Sequence, residues 1–184
     1  MTQALLVMDL QNGIVERVSE QADALLATLE RVISAARERH MPIIFVRVAF
    51  RPGAPEVSAR NQSFAALKSS LPMDETTEST QIHSRVARRE GDILVTKRRV
   101  SAFSGSDLEV VLRSLDVDHL VLTGISTSGV VLSTTRQAAD LDYRITIIAD
   151  GCADADLEVH RVLIDKVFPR QATVVTANEW IANS

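Results

Sequence analysis

The chain has 184 residues, 46% of them hydrophobic and 24% charged, with aromatics only 4%. This is the size and balance of one globular domain whose core is built from Leu, Val, Ile and Ala. A formal net charge of −4 leaves no basic footprint for nucleic acid, and one cysteine excludes an intrachain disulfide or a multi-cysteine metal site.

Short apolar runs alternate with helical stretches along the chain, and a single domain over residues 1–184 is expected. Residues 4–8 form the first predicted strand, ending at Asp9. Residues 19–39 follow as a helix with Ser19 as its cap, since Leu25, Leu26, Leu29, Val32, Ile33 and Ala36 recur at helical spacing. Residues 43–46 are the second strand. The polar, proline-containing stretch 51–80 reads as a long loop with a short helix at 63–67, and insertions of that length tend to be functional. A third strand at 93–95 leads to Lys97, and Ser106 can cap a helix through Leu115. The fourth strand, 119–122, runs into Gly124 and a helix extending to Leu141. A fifth strand at 145–148, a helix at 154–167 and a sixth strand at 172–175 complete the pattern. Thr176 and Glu179 have the spacing of a capping box for a last helix that contains Trp180. Near-continuous apolar strands separated by helices predict an α/β fold, a three-layer doubly wound sandwich on a six-stranded, mainly parallel sheet.

Such sheets bind ligands beyond the carboxyl ends of their strands. Asp9 and Gln11 follow the first strand, Arg47 the second, Lys97 the third, and Ser126, Gly129 and Val130 the fourth. A carboxylate and an ammonium brought together from separate strand ends make a plausible acid/base pair. Taken singly, each has a structural reading. Asp9 can be a turn residue, and Lys97-Arg98-Arg99 can be a charged edge.

Three segments carry a family resemblance. Asp9-Leu10-Gln11-Asn12 resembles the Asp-x-Gln opening of the isochorismatase-like (cysteine) hydrolase superfamily; Lys97 with Ser101-Ala102-Phe103 resembles its lysine with a downstream Ser-Ala-Phe. Residues 124–138, with Thr134, Arg136 and Ala138, are similar to its strand-turn-helix signature. The resemblance covers nearly the whole chain in order. It implies an Asp-Lys-Cys triad, but the position of the cysteine, counted from Gly124, falls on Val130. Isochorismatases within the superfamily also lack the cysteine and cleave a vinyl ether, with the aspartate as acid. On that precedent Asp9 is the expected acid or base and Lys97 its electrostatic partner. Lys97 and Arg47 would hold a substrate carboxylate, Gln11 would position water or a hydroxyl, and Val130 and Phe103 would line the pocket.

The resemblance also implies a cis peptide between Ile125 and Ser126, with turn N–H groups aimed at a ligand. The hydroxyls of Ser126, Thr127, Ser128 and Ser133 have no histidine nearby in the sequence and read as turn residues. Cys152 follows the fifth strand, at the same end of the sheet, and is a minor alternative nucleophile; the resemblance implies packing instead, since the superfamily often carries a cysteine in this segment alongside its nucleophile. Zinc-dependent relatives carry Asp-x-His after the second strand, where this chain reads Val48-Ala49-Phe50-Arg51. His40 ends the first helix, His119 begins a strand and His160 lies on a helix, which leaves only His83, in the loop before the third strand, as a histidine that could approach the crevice. No metal and no other cofactor are expected.

The functional expectation is a hydrolase of a small anionic metabolite that uses no cysteine nucleophile. A catalytically silent metabolite-binding or subunit protein is the alternative, with a Cys152-dependent amidase behind both. The expected partner is a small-molecule substrate, with no nucleic acid and no membrane. A cytoplasmic homo-oligomer is expected, because the chain opens without a signal peptide and the superfamily usually assembles.

Overall fold

The computed structural model describes residues 2–70 and 72–183. Its elements in order are β1 (Thr2–Met8), the short helix α1 (Asn12–Val15), α2 (Ser19–Glu38), β2 (Ile43–Val48), α3 (Gln62–Ser70), β3 (Ile93–Lys97), α4 (Leu108–Ser114), β4 (Val117–Ile125), α5 (Leu132–Asp140), β5 (Arg144–Ala153), α6 (Leu157–Val162), β6 (Thr173–Val175) and α7 (Ala177–Asn183). The six strands form one all-parallel sheet in the order β3-β2-β1-β4-β5-β6. Strand order reverses between β1 and β4, and a crevice opens there at the carboxyl ends.

Helices cover both faces. On one face Leu25, Leu29, Val32 and Ala36 of α2, with Trp180 of α7, pack on Leu5, Val7 and Phe45. On the other, Leu108 and Leu112 of α4, Ala138 of α5 and Leu163 pack on Leu6, Met8, Leu120 and Leu122. The alternation of Leu5 and Val7 against Leu6 and Met8 is the period-2 pleat of a strand buried on both sides. No helix among the described residues is long and apolar enough to cross a membrane.

Helix starts depart from expectation. Ser19 does not cap α2: it is already helical, and a 3₁₀ turn, Glu16–Val18, joins α1 to α2. α4 begins at Leu108, with Ser106 Oγ accepting the Leu108 N–H at 3.3 Å. α6 begins at Leu157, capped by Asp156, whose Oδ1 accepts the N–H groups of Glu158 and Val159. The last helix has its capping box: Glu179 accepts the Thr176 N–H at 2.7 Å, and Thr176 Oγ1 accepts the Glu179 N–H at 3.2 Å.

Strand ends matter more for the site. β2 continues to Val48, two residues beyond the expected end, and β5 runs to Ala153. β4 reaches Ile125 through Gly124, whose φ is +146°. A Cβ there would lie 2.3 Å from the Met8 carbonyl oxygen, so the two central strands meet closely only because this residue is glycine.

Candidate active site

Asp9 follows β1 in a left-handed conformation, φ +57°, which aspartate tolerates better than most residues. Its backbone N–H donates to the Val46 carbonyl at 2.8 Å, fixing the turn against β2. Lys97, the last residue of β3, extends its ammonium to Asp9, with Nζ 2.9 Å from Oδ2. Both side chains are buried, the lysine 2% exposed and the aspartate 7%.

The ammonium has three protons and three acceptors. Besides Asp9 it donates to the carbonyls of Arg99 and Val100, each at 3.0 Å. Lys97 is therefore saturated, and it anchors one carboxylate oxygen while having no donor left for a ligand. The other oxygen, Asp9 Oδ1, is buried without a hydrogen-bond partner. Burial pushes the Asp9 carboxyl above its ordinary range; the charge of Lys97 and its hydrogen bond work against this without cancelling it.

Asp9 and Lys97 line a cavity of about 320 Å³ at the β1/β4 switch point, at the small end of ligand sites. Ser126, Gly129 and Val130 line it from the turn after β4, where the Ile125–Ser126 peptide is cis. The turn continues as a single π-helical stretch, Thr127–Val131, into α5. Its N–H groups are partly spent within the protein. Those of Gly129 and Val131 donate to the Ser126 carbonyl, and that of Ser128 donates to Asp154 Oδ2 at 2.7 Å.

Three residues expected at the site lie elsewhere. Strand parity places Arg47 on the other face: Val48 pairs in register with Lys97 and lines the cavity, whereas Arg47 pairs with Thr96. Its guanidinium donates to Thr96 Oγ1 at 3.2 Å and to the Glu75 carbonyl at 3.1 Å. Gln11 is fully buried, donating to the carbonyls of Val48 and Thr80 and accepting the Val48 N–H. It ties the ends of β1 and β2 to the 51–80 insertion. Replacing it with alanine leaves those three backbone groups without a partner. The expected cost is about 2–3 kcal/mol in urea unfolding, and a loss under 0.5 kcal/mol would contradict the tie. Phe103 packs in the apolar cluster beneath α4 and α5, 6.0 Å from the Tyr143 ring, and does not line the cavity.

Conversely, sequence reasoning missed much of the wall. Ile14, Arg17 and Val18 come from α1 and the turn after it, and Ser63, Phe64 and Leu67 from α3 in the insertion. Ile14, Val15 and Val18 have a helical apolar spacing that could have revealed the first group. Asp154, also on the wall, holds the turn through Ser128 and receives Gln21 Nε2 on its carbonyl at 2.8 Å.

Thr127 does meet a histidine, contrary to the sequence reading: its Oγ1 lies 2.8 Å from His160 Nδ1 on α6. Thr127 is fully buried and does not line the cavity, so this pair braces the turn against α6. His83, considered for the crevice, accepts the Arg85 N–H at 3.3 Å and is likewise absent from the wall. No group of three or more His, Cys, Asp or Glu able to hold a metal occurs among the described residues.

Cys152 lies inside β5, buried in the same apolar cluster as Phe103 and Val130, and does not line the cavity. Burial pushes its thiol up to about 12. At neutral pH its thiolate fraction is then roughly a thousandfold below that of an ordinary cysteine. Iodoacetamide is expected to leave the native protein almost unlabelled over an hour at pH 7.5 and to label it fully in urea. Rapid native labelling, followed by mass spectrometry, would refute this burial.

A three-layer α/β sandwich with a buried Asp–Lys pair at its switch point defines the class of an isochorismatase-like fold. Residues 3–179 match the isochorismatase domain family, and the chain belongs to that family. It is 32% identical over 179 residues to an uncharacterized isochorismatase family protein, YwoC, of Bacillus subtilis, spanning 97% of this chain and 92% of that one. It is 28% identical over 183 residues to a probable inactive nicotinamidase of Arabidopsis thaliana, spanning 96% of this chain and 93% of that protein. Among solved structures, an isochorismatase family protein from Burkholderia thailandensis superposes with a TM-score of 0.84 at 28% identity, covering 98% of this chain and 94% of the other.

Proposed function

We propose that this protein is a hydrolase of a small anionic metabolite that works without a cysteine nucleophile, with Asp9 as its general acid. The observation that carries the reading is the state of the Asp9 carboxyl. It is held by Lys97 through one oxygen, its other oxygen is buried without a partner beside an apolar cavity, and burial favours its protonated form. A carboxyl that keeps its proton near its working pH can donate to a leaving atom or to an enol carbon. Water then attacks the electron-poor centre, and the proton it sheds restores Asp9.

In this reading Val130 stands where cysteine-using members of the superfamily carry the thiol. It contributes an aliphatic wall. Lys97 fixes the carboxyl and limits the rise of its pKa, and does not touch substrate. Cys152 takes no part.

The test is turnover of a panel of vinyl ethers, amides, N-carbamoyl compounds and esters by wild type, Asp9→Asn and Cys152→Ser. Hydrolysis kept by Cys152→Ser and lost by Asp9→Asn supports the reading; loss with Cys152→Ser overturns it. A second reading, a silent relative that binds a metabolite, is favoured by Val130 and by the similarity to a plant protein called a probable inactive nicotinamidase. It predicts ligand binding with no turnover by wild type.

A further inference from the structure

Most of the charged groups around the cavity are committed, the free Oδ1 of Asp9 apart. Lys97 has given its three protons to Asp9, Arg99 and Val100. The Asp154 carboxylate accepts the N–H groups of Ser128 and Asp156. Ser63 Oγ donates to Asn61 Oδ1. Arg47, the other expected anion contact, is turned to the far side of β2.

One cation is left over. Arg17, on the 3₁₀ turn between α1 and α2, lines the cavity and is exposed. Its guanidinium makes no hydrogen bond or ion pair with any described residue. Ile14 and Val18 flank it on the same wall, with Phe64, Leu67, Val100 and Ile125 making up much of the remainder.

We infer that Arg17 is the anion-recognition residue of this cavity, and that the cavity takes a small monocarboxylate with an apolar body. A guanidinium offers paired donors that match the two oxygens of a carboxylate, and here they are available without breaking any existing bond. The apolar wall suits a hydrocarbon or aromatic body and disfavours a densely hydroxylated one, whose buried polar groups would lack partners. One unpaired cation matches one negative charge. A phosphate-type dianion would carry a second charge into a space also lined by the Asp154 carboxylate. The inference rests on the proposed small anionic ligand, and not on the chemistry assigned to Asp9.

Binding tests it without turnover. The full chain is titrated calorimetrically with isovalerate, benzoate and phenylacetate, and with benzamide and phenylphosphonate as controls; melting temperatures are measured in parallel. At least one carboxylate is expected to bind and raise the melting temperature, with benzamide and phenylphosphonate weaker by roughly tenfold or more. Arg17→Gln should lose a similar factor for the carboxylate and nothing for benzamide, and Arg17→Lys should recover part of the loss. Arg17 is exposed, so an unliganded melting temperature close to wild type is expected for both variants. Carboxylate affinity unchanged in Arg17→Gln overturns the inference, as does equal binding of benzoate and benzamide, or binding of no carboxylate in the series. Failure of the hydrolase reading looks different: carboxylates bind through Arg17, yet wild type turns over nothing.

Discussion

Asp9→Asn is expected to lower kcat by about 10²–10⁴-fold on whichever substrate wild type hydrolyses, the range typical of a lost general acid. The substitution isolates the proton. Asparagine keeps the shape of aspartate, and its Oδ1 can still accept from Lys97, so the ammonium stays anchored. The pH profile provides the stricter test. The Asp9 carboxyl titrates above the usual aspartate value of 3.8 because burial outweighs the help of Lys97. Since the protonated form is the working one, wild-type kcat is highest below the folded pKa and falls as pH rises through it. The residual rate of Asp9→Asn should lack that fall. Stability follows the same titration. A raised folded pKa means that the favourable contribution of Asp9 is complete below 3.8 and is lost as pH climbs through the folded value. Asparagine does not titrate, so the variant should gain on wild type in urea denaturation from acid to neutral pH. A wild-type rate in Asp9→Asn, or activity that rises with pH through this range, removes Asp9 as the acid.

The sheet was legible because its signal is local. Strands buried on both faces must be apolar throughout, and runs such as Leu5-Leu6-Val7-Met8 announce themselves. Strand ends were less legible, and one of them changed the site. With β2 ending at Val46, Arg47 becomes a free strand-end residue; with β2 ending at Val48, it becomes an interior residue facing away from the cavity. A shift of two residues in the end of a strand decided where a cation points. Asp9 and Lys97 could be singled out because the carboxyl ends of β1 and β3 lie on one side of a parallel sheet whatever the loops do. Gln11 shows the opposite case. Its partners are 37 and 69 residues away in sequence, so nothing near it reveals that its amide is spent on Val48 and Thr80. Arg17 was missed for a related reason. Its segment carries no strand-end signal, and its value lies in being unpaired while Lys97 is saturated and Arg47 is bound elsewhere, a property of the folded chain alone.

Lys97→Met should destabilise the protein by about 3–5 kcal/mol near pH 8, because it breaks a buried ion pair by removing one partner. Methionine fills much of the space of the lysine stem, so the loss is chiefly electrostatic. Three acceptors are abandoned at once: Asp9 Oδ2 and the carbonyls of Arg99 and Val100. The Asp9 carboxylate, already lacking a partner on Oδ1, would then be a buried anion with no counter-charge at hydrogen-bond distance. It can escape by taking up a proton. Lys97 is the group that holds the Asp9 pKa down against burial, so without it the carboxyl is pushed up further. The deficit of Lys97→Met is therefore largest at high pH and shrinks as pH falls through the new Asp9 value, which equilibrium urea unfolding at pH 5 and pH 8 measures. A double-mutant cycle separates the charge from the packing. Asp9→Asn placed on Lys97→Met removes the anion, and the double variant should be more stable at pH 8 than Lys97→Met alone. If it is less stable, the penalty lies in the two abandoned carbonyls and not in Asp9. In that event the ammonium serves mainly to close the loop at Arg99 and Val100, and its control of the Asp9 proton is secondary.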